Sequence, residues 1–221
     1  MKKKIVLIIT SICLLVIATV AILIYRGYAS VKSLSDYKDV ATPNKKTMIL
    51  PIADLKNLEI NDSLTLQDGT ILTRITYEEY LRMQDDSEYE YPDEMKPEST
   101  TKDKGAYSYY YNKVAFGLDG SDECEFKAQL ESVIILDNTN INNQIVDAFP
   151  VKTSLAAGPN NCVWIQSAVD RFITIEYNGQ PLNEIELFGR GYFYLKFDNP
   201  FIKTFGWTSP TLYMVCKYQC A

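Results

Sequence analysis

Between Lys2-Lys3-Lys4 and Arg26 the chain runs from Ile5 to Tyr25, 21 residues, without a charge, and only Thr10, Ser11 and Thr19 interrupt its apolar character. This stretch constrains the chain more than any other. At a rise of about 1.5 Å per residue it covers the roughly 30 Å hydrocarbon core of a bilayer as a helix. The sequence therefore predicts a transmembrane anchor over residues 5–26. A secretory signal peptide also begins basic and continues apolar, but its apolar region runs about 7 to 15 residues and closes on a small-x-small cleavage site. Here the run is longer and stops at Tyr25-Arg26-Gly27-Tyr28. Cleavage, which would leave a secreted soluble protein, stands as an alternative reading. Cys13 falls in mid-helix and reads as an apolar passenger.

Three lysines precede the segment, and only Arg26 and Lys32 follow closely behind it. The positive-inside bias then places residues 1–4 in the cytoplasm and the remainder outside. The expected localisation is the cell membrane, single-pass, with the C-terminal domain on the outer side and the membrane itself a partner through the N-terminal helix. Residues 27–46 are polar and close on Pro43-Asn44-Lys45-Lys46, which reads as a juxtamembrane stalk. Residues 47–221 form the extracytoplasmic domain, long enough to bury a core of its own.

All 28 acidic residues follow the anchor, against 18 of the 22 basic ones, so the outer part carries a formal charge of −10. Nucleic acid, whose binding needs a basic face to displace counterions, is excluded as an expected partner. The chain has no histidine. That removes Ser-His-Asp and Cys-His catalysis, zinc sites with imidazole ligands, and the common pH switch near neutrality. No cofactor, metal or catalytic residue is assigned. Asp119-Gly120-Ser121-Asp122-Glu123 lacks the alternate spacing of a calcium loop and reads as an Asp-Gly turn.

Four cysteines lie beyond the anchor: Cys124, Cys162, Cys216 and Cys220. Their even number in an oxidising compartment predicts two disulfides. On a strand, Cys216 and Cys220 are about 13 Å apart, too far to bridge each other. Two connectivities remain: Cys124–Cys216 with Cys162–Cys220, or Cys124–Cys220 with Cys162–Cys216. The spacing is not the CxxC of a redox pair.

Periodicity in the outer domain is that of strands. Short ones are expected at Met48–Leu50 and Leu58–Ile60, and Leu64–Leu66 with Ile71-Leu72 around Asp68-Gly69 reads as a hairpin. Thr76 is a candidate N-cap for a short helix carrying Tyr77, Tyr80 and Leu81 on one face. Residues 84–105 are acidic with Pro92 and Pro97 and read as a mobile loop. Tyr107, Tyr109 and Tyr111 alternate with Ser108, Tyr110 and Asn112 along a further strand. Phe126, Ala128 and Leu130 alternate with charged and amide residues before Ser132–Leu136 becomes apolar throughout. Cys162–Ile165, Phe172–Tyr177, Ile185–Phe188, Gly191–Phe197 and Thr211–Cys216 complete the series, with Pro181 expected to delay the strand after Asn178-Gly179. The fold class this predicts is mainly β: an N-terminal transmembrane helix followed by an extracytoplasmic β-sandwich-like domain with one or two short helices.

On Phe126–Asn138 and the segment Cys162–Phe172, the layout resembles small bacterial membrane-anchored proteins with an extracytoplasmic β-sandwich, a type with no assigned activity. The resemblance implies a fold and a location only. The leading functional expectation is a non-catalytic binding or accessory domain acting on an envelope protein or an extracellular ligand. Its candidate contact residues are Tyr109 and Tyr111 on the tyrosine stripe, and Phe205 and Trp207 in an expected loop between Pro200 and Pro210, where exposed aromatics would anchor a partner. The alternative is an envelope enzyme with paired carboxylates, such as a glycan hydrolase, for which Asp170, Glu176 and Glu184 are the acids to test.

Overall fold

The computed structural model describes residues 9–22, 25, 44–85, 106–139, 145–177, 180–199 and 202–220, with side chains described for all of these except 170–183 and 197–205. Residues 9–22 form a helix, α1, exposed along its length. Thr19 returns its hydroxyl to the Leu15 carbonyl at 2.8 Å, which satisfies a polar side chain inside an apolar helix. Among the described residues no helix is long and apolar enough to cross a membrane. The expected span 5–26 continues past α1 at both ends, into residues 5–8, 23, 24 and 26, which lie outside the described set. So do residues 86–105, most of the expected acidic loop; Gln84 and Asp85 belong to a helix.

The rest is mainly β, in two five-stranded sheets. One sheet has the order β1 (Asn44–Leu50), β10 (Leu212–Cys220), β8 (Gln180–Asn199), β7 (Cys162–Tyr177), with β9 (Ile202–Thr208) also paired to β8. The other runs β2 (Ser63–Thr65), β3 (Ile71–Ile75), β4 (Tyr107–Gly117), β5 (Lys127–Asp137), β6 (Ile145–Ala157). β1 lies parallel to β10, and the other pairings are antiparallel. The core between the sheets takes Met48, Leu50, Leu187, Phe193, Met214 and Tyr218 from the first, and Leu72, Tyr110, Val114, Phe116, Leu130 and Ile134 from the second.

Period-two alternation explains most of this. On β4, Ser108, Tyr110, Asn112, Val114 and Phe116 are buried, whereas Tyr107, Tyr109 and Tyr111 are half-buried on the opposite face. That outer face is covered by helix α3 (Tyr77–Asp85). α3 starts on a capping box: Glu79 N–H donates to Thr76 Oγ1 at 3.1 Å, and Thr76 N–H donates to Glu79 Oε2 at 3.0 Å. This arrangement satisfies two amides at the helix start. Tyr80 is buried, stacks on Tyr109 at 4.8 Å and meets Phe149 edge-on at 6.0 Å. The cover accounts for the run Val133–Leu136 of β5, apolar at every position because Val133 and Ile135 pack toward α3 while Ile134 and Leu136 face the main core.

The two sheets are also joined by a buried polar cluster. Asn112 Nδ2 donates to the Tyr218 hydroxyl at 2.9 Å, Ser132 Oγ lies 2.8 Å from that hydroxyl, and Ser132 donates to Asn112 Oδ1 at 2.5 Å. At the β6–β7 side Trp164 Nε1 donates to Thr153 Oγ1 at 2.8 Å, and its ring lies across Gly191. A Cβ at 191 would stand 2.4 Å from both the Trp164 ring and the Ile165 carbonyl, so only glycine fits beneath it.

Several expectations are corrected here. The stalk does not reach residue 46, because Asn44, Lys45 and Lys46 already pair with Met214, Val215 and Cys216. Leu58–Ile60 is not a strand. Asn61 turns the chain there with φ 72°, and the Arg74 guanidinium donates to the Leu58 carbonyl. A helix that periodicity did not signal, α2 (Ile52–Lys56), follows β1 and buries Ile52 and Leu55; the Tyr110 hydroxyl donates to the Leu55 carbonyl at 2.9 Å. Pro181 does not delay the hairpin, since it pairs with Glu176 and the expected short strands fuse into β7 and β8.

Neither expected disulfide pattern forms, and no disulfide joins two of the described cysteines. The register gives the reason. Cys216 pairs with Leu187, and Leu187 pairs with Arg171 on β7. Arg171 is nine residues beyond Cys162, or about 30 Å along the strand. Cys220 is farther still, because its neighbour Gln219 aligns through Glu184 with Thr174. Both patterns required Cys162 to reach one of these two.

Candidate binding groove

Each sheet ends at a strand that pairs on one side only among the described residues: β1 pairs with β10, and β2 pairs with β3. A groove of about 530 Å³ lies between these two edges, lined by Thr47, Met48, Ile49, Pro51 and Asp54 on one wall and Leu64 to Asp68 on the other. Consecutive strand residues point to opposite faces. Since Thr47, Met48 and Ile49 all line the groove, it runs along the edge of β1 rather than over a face. The same holds for Leu64 and Thr65 of β2, with Leu66 at the turn just beyond it. The volume is within the range of ligand pockets.

Local sequence builds both walls. Lys45 and Lys46 open β1, then Thr47-Met48-Ile49-Leu50-Pro51-Ile52 carries no charge, and Pro51 breaks the strand so that α2 can start. The opposite wall is shaped by its turn: Gly69 takes φ 84°, and Asp68 accepts from Thr70 N–H at 3.0 Å and from Thr70 Oγ1 at 2.9 Å. Ile49 is 61% exposed although it lies beside buried Met48 and Leu50. The nearby lysines are engaged elsewhere, Lys45 with Glu186 and Lys46 with Asp122 and over the Phe116 ring. Asp54, exposed on α2, makes no ion pair among the described residues. The groove therefore sets apolar Met48, Ile49, Leu64 and Leu66 among polar Thr47, Thr65 and Gln67, and its charges are those of Asp54 and Asp68. Burial, helped by the charge of Asp68, pushes the Cys216 thiol up to about 12.

The residues singled out from the sequence lie elsewhere and do not converge. Tyr109 is packed between Tyr77 and Tyr80 at 5.6 and 4.8 Å, and burial pushes its hydroxyl up to about 12. Tyr111 donates to Glu131, whose side chain is 5% exposed and which also accepts from Ser154 at 2.9 Å and lies 3.6 Å from Lys113 Nζ. Burial opposes ionisation of Glu131, but the bonds from Tyr111 and Ser154 and the nearby lysines outweigh it and hold its carboxyl below the usual range. Burial and the Glu131 carboxylate push the Tyr111 hydroxyl well above its ordinary value. Phe205 and Trp207 belong to a strand, not a loop: Phe205 pairs with Phe197 and Trp207 with Leu195, and Trp207 packs against the core. Of the acids considered for catalysis, Asp170 and Glu176 sit six residues apart on β7, about 20 Å. Glu184 is held by Lys217 and by Gln219 Nε2 at 2.8 Å. Among the described residues no group of three or more cysteine or acidic side chains is placed to hold a metal ion.

The groove escaped sequence reasoning because it is a property of pairing, not of composition. One signal was present: two lysines guarding the start of β1, followed by an unguarded apolar run. No protein-family model, no curated protein and no solved structure matches this chain.

Proposed function

We propose that the chain is a membrane-anchored, outward-facing binding or accessory domain without catalysis of its own, and that the groove between β1 and β2 is its contact surface. The observation that supports this reading most is the uncharged run from Thr47 at a strand edge, with Thr47 and Ile49 exposed, beside a cavity that Asp54 and Asp68 also line. The anchor rests on the uncharged run from Ile5 to Tyr25 and its orientation on the three preceding lysines. The tyrosine stripe serves packing and the Glu131 cluster serves structure, which leaves the groove as the surface best suited to a partner.

The test is topology. A cysteine introduced as Ser121→Cys, in an exposed turn, is expected to react with a membrane-impermeant maleimide in intact cells, while the full chain stays in the membrane pellet after alkaline extraction. Protection from the reagent in intact cells, or release of the chain into the supernatant, would overturn the reading.

A further inference from the structure

We infer that the groove takes an extended, positively charged polypeptide segment by strand addition to the free edge of β1. This rests on the proposed binding role and names the chemistry of its ligand. The free edge of β1 offers the N–H and C=O groups of every second residue, and an incoming strand satisfies them in ladder fashion. Proteins guard such edges with lysines, prolines, inward-pointing charges or very short strands. Those devices are unevenly spread here. β2 has only three residues, and β1 bears its lysines at positions 45 and 46, with Lys46 turned toward Phe116 and Asp122. From Thr47 to Leu50 the edge carries no such guard, and Ile49 stands exposed beside it.

Four residues of edge span about 13 Å, enough for a short ladder bounded by Pro51. Apolar side chains of the incoming segment would meet Ile49, Leu64 and Leu66, which line the groove. The sign of its charge follows from the walls. Asp54 and Asp68 lie at the groove, no lysine or arginine lines it among the described residues, and the outer part of the chain is strongly acidic. A cationic segment is drawn in, and an acidic one is repelled.

The experiment uses the full chain in detergent micelles and a fluorescein-labelled heptapeptide with lysine at both ends and valine and threonine alternating between. Saturable anisotropy binding is expected, with slowed amide exchange at Thr47–Leu50. Asp54→Asn with Asp68→Asn should weaken binding about two- to tenfold. Ile49→Lys, at an exposed position, should abolish it while near-UV dichroism stays native. Equal binding of the same peptide with glutamate in place of lysine, or with N-methyl groups on alternate amides, would overturn strand addition by a cationic segment. So would the absence of binding at about 1 mM peptide. A chain that labels outside and stays in the membrane but fails these tests defeats this inference alone, whereas failure of the labelling test defeats the wider reading.

Discussion

Tyr218→Phe tests the buried cluster that locks the two sheets together. The substitution keeps the ring and removes one oxygen, which lies 2.8 Å from Ser132 Oγ and accepts from Asn112 Nδ2 at 2.9 Å. Tyr218, Ser132 and Asn112 are all 1% exposed or less, so water cannot replace the lost partner. A neutral hydrogen bond contributes about 1 kcal/mol net, and a buried group left unsatisfied costs about 1 to 3 kcal/mol. A loss of about 2 kcal/mol follows, roughly 30-fold in the folding equilibrium. With a urea m-value of about 2 kcal/mol per molar, the midpoint should fall by about 1 M, read by fluorescence of Trp164 and Trp207 in the full chain. The same reasoning requires non-additivity. In Tyr218→Phe with Asn112→Leu and Ser132→Ala no polar group remains stranded, so the triple variant should cost less than the sum of the three single changes by about 1 to 2 kcal/mol. A single-variant cost below about 0.5 kcal/mol, or simple addition of the three, would refute the account of the cluster.

Gly191→Ala should lower the melting temperature by several degrees, because its Cβ would collide with backbone at the Ile165 carbonyl as well as with the Trp164 ring; overpacking of this kind costs about 1 to 3 kcal/mol. Glu131→Gln should destabilise the protein by about 1 to 2 kcal/mol at pH 7. The sign of its pH dependence is fixed by the lowered folded-state pKa: the contribution is complete above the unfolded carboxyl value and is lost as pH falls through the folded one. Urea titrations should therefore show wild type and variant converging below about pH 4; a difference that persists or grows there contradicts it. Cys216 and Cys162, with thiols raised by burial to about 12 and about 11, should react with maleimide only after unfolding and without prior reduction; reaction that required a reductant would restore the disulfide expectation.

Where side chains alternate in and out, the chain was readable: β4, β5, the hairpin around Asp68-Gly69 and the cap at Thr76 all follow from residue order. The continuous apolar run Val133–Leu136 was the harder case, because a strand covered on both faces reads like any apolar run until α3 is seen above Val133 and Ile135. Short strands such as Cys162–Ile165 and Phe172–Tyr177 were split by Gln166–Arg171, whose polar residues accompany a bulge that keeps β7 continuous. The cysteines misled because an even count says nothing about register, and register separates Cys162 from Cys216 and Cys220. The groove was least legible of all. It exists because β1 joins β10, a strand far along the sequence, and has no partner on its other side among the described residues, a long-range pairing that no local pattern encodes.

The most direct test of the central claim is photocrosslinking in native membranes from a photoreactive residue at position 49, compared with one at position 213, where Tyr213 is exposed on the strand next to β1. A discrete adduct from position 49, suppressed by the lysine-ended peptide and absent from position 213, is the predicted result. No adduct from position 49, or one that the peptide leaves unchanged, would contradict the groove as the binding surface.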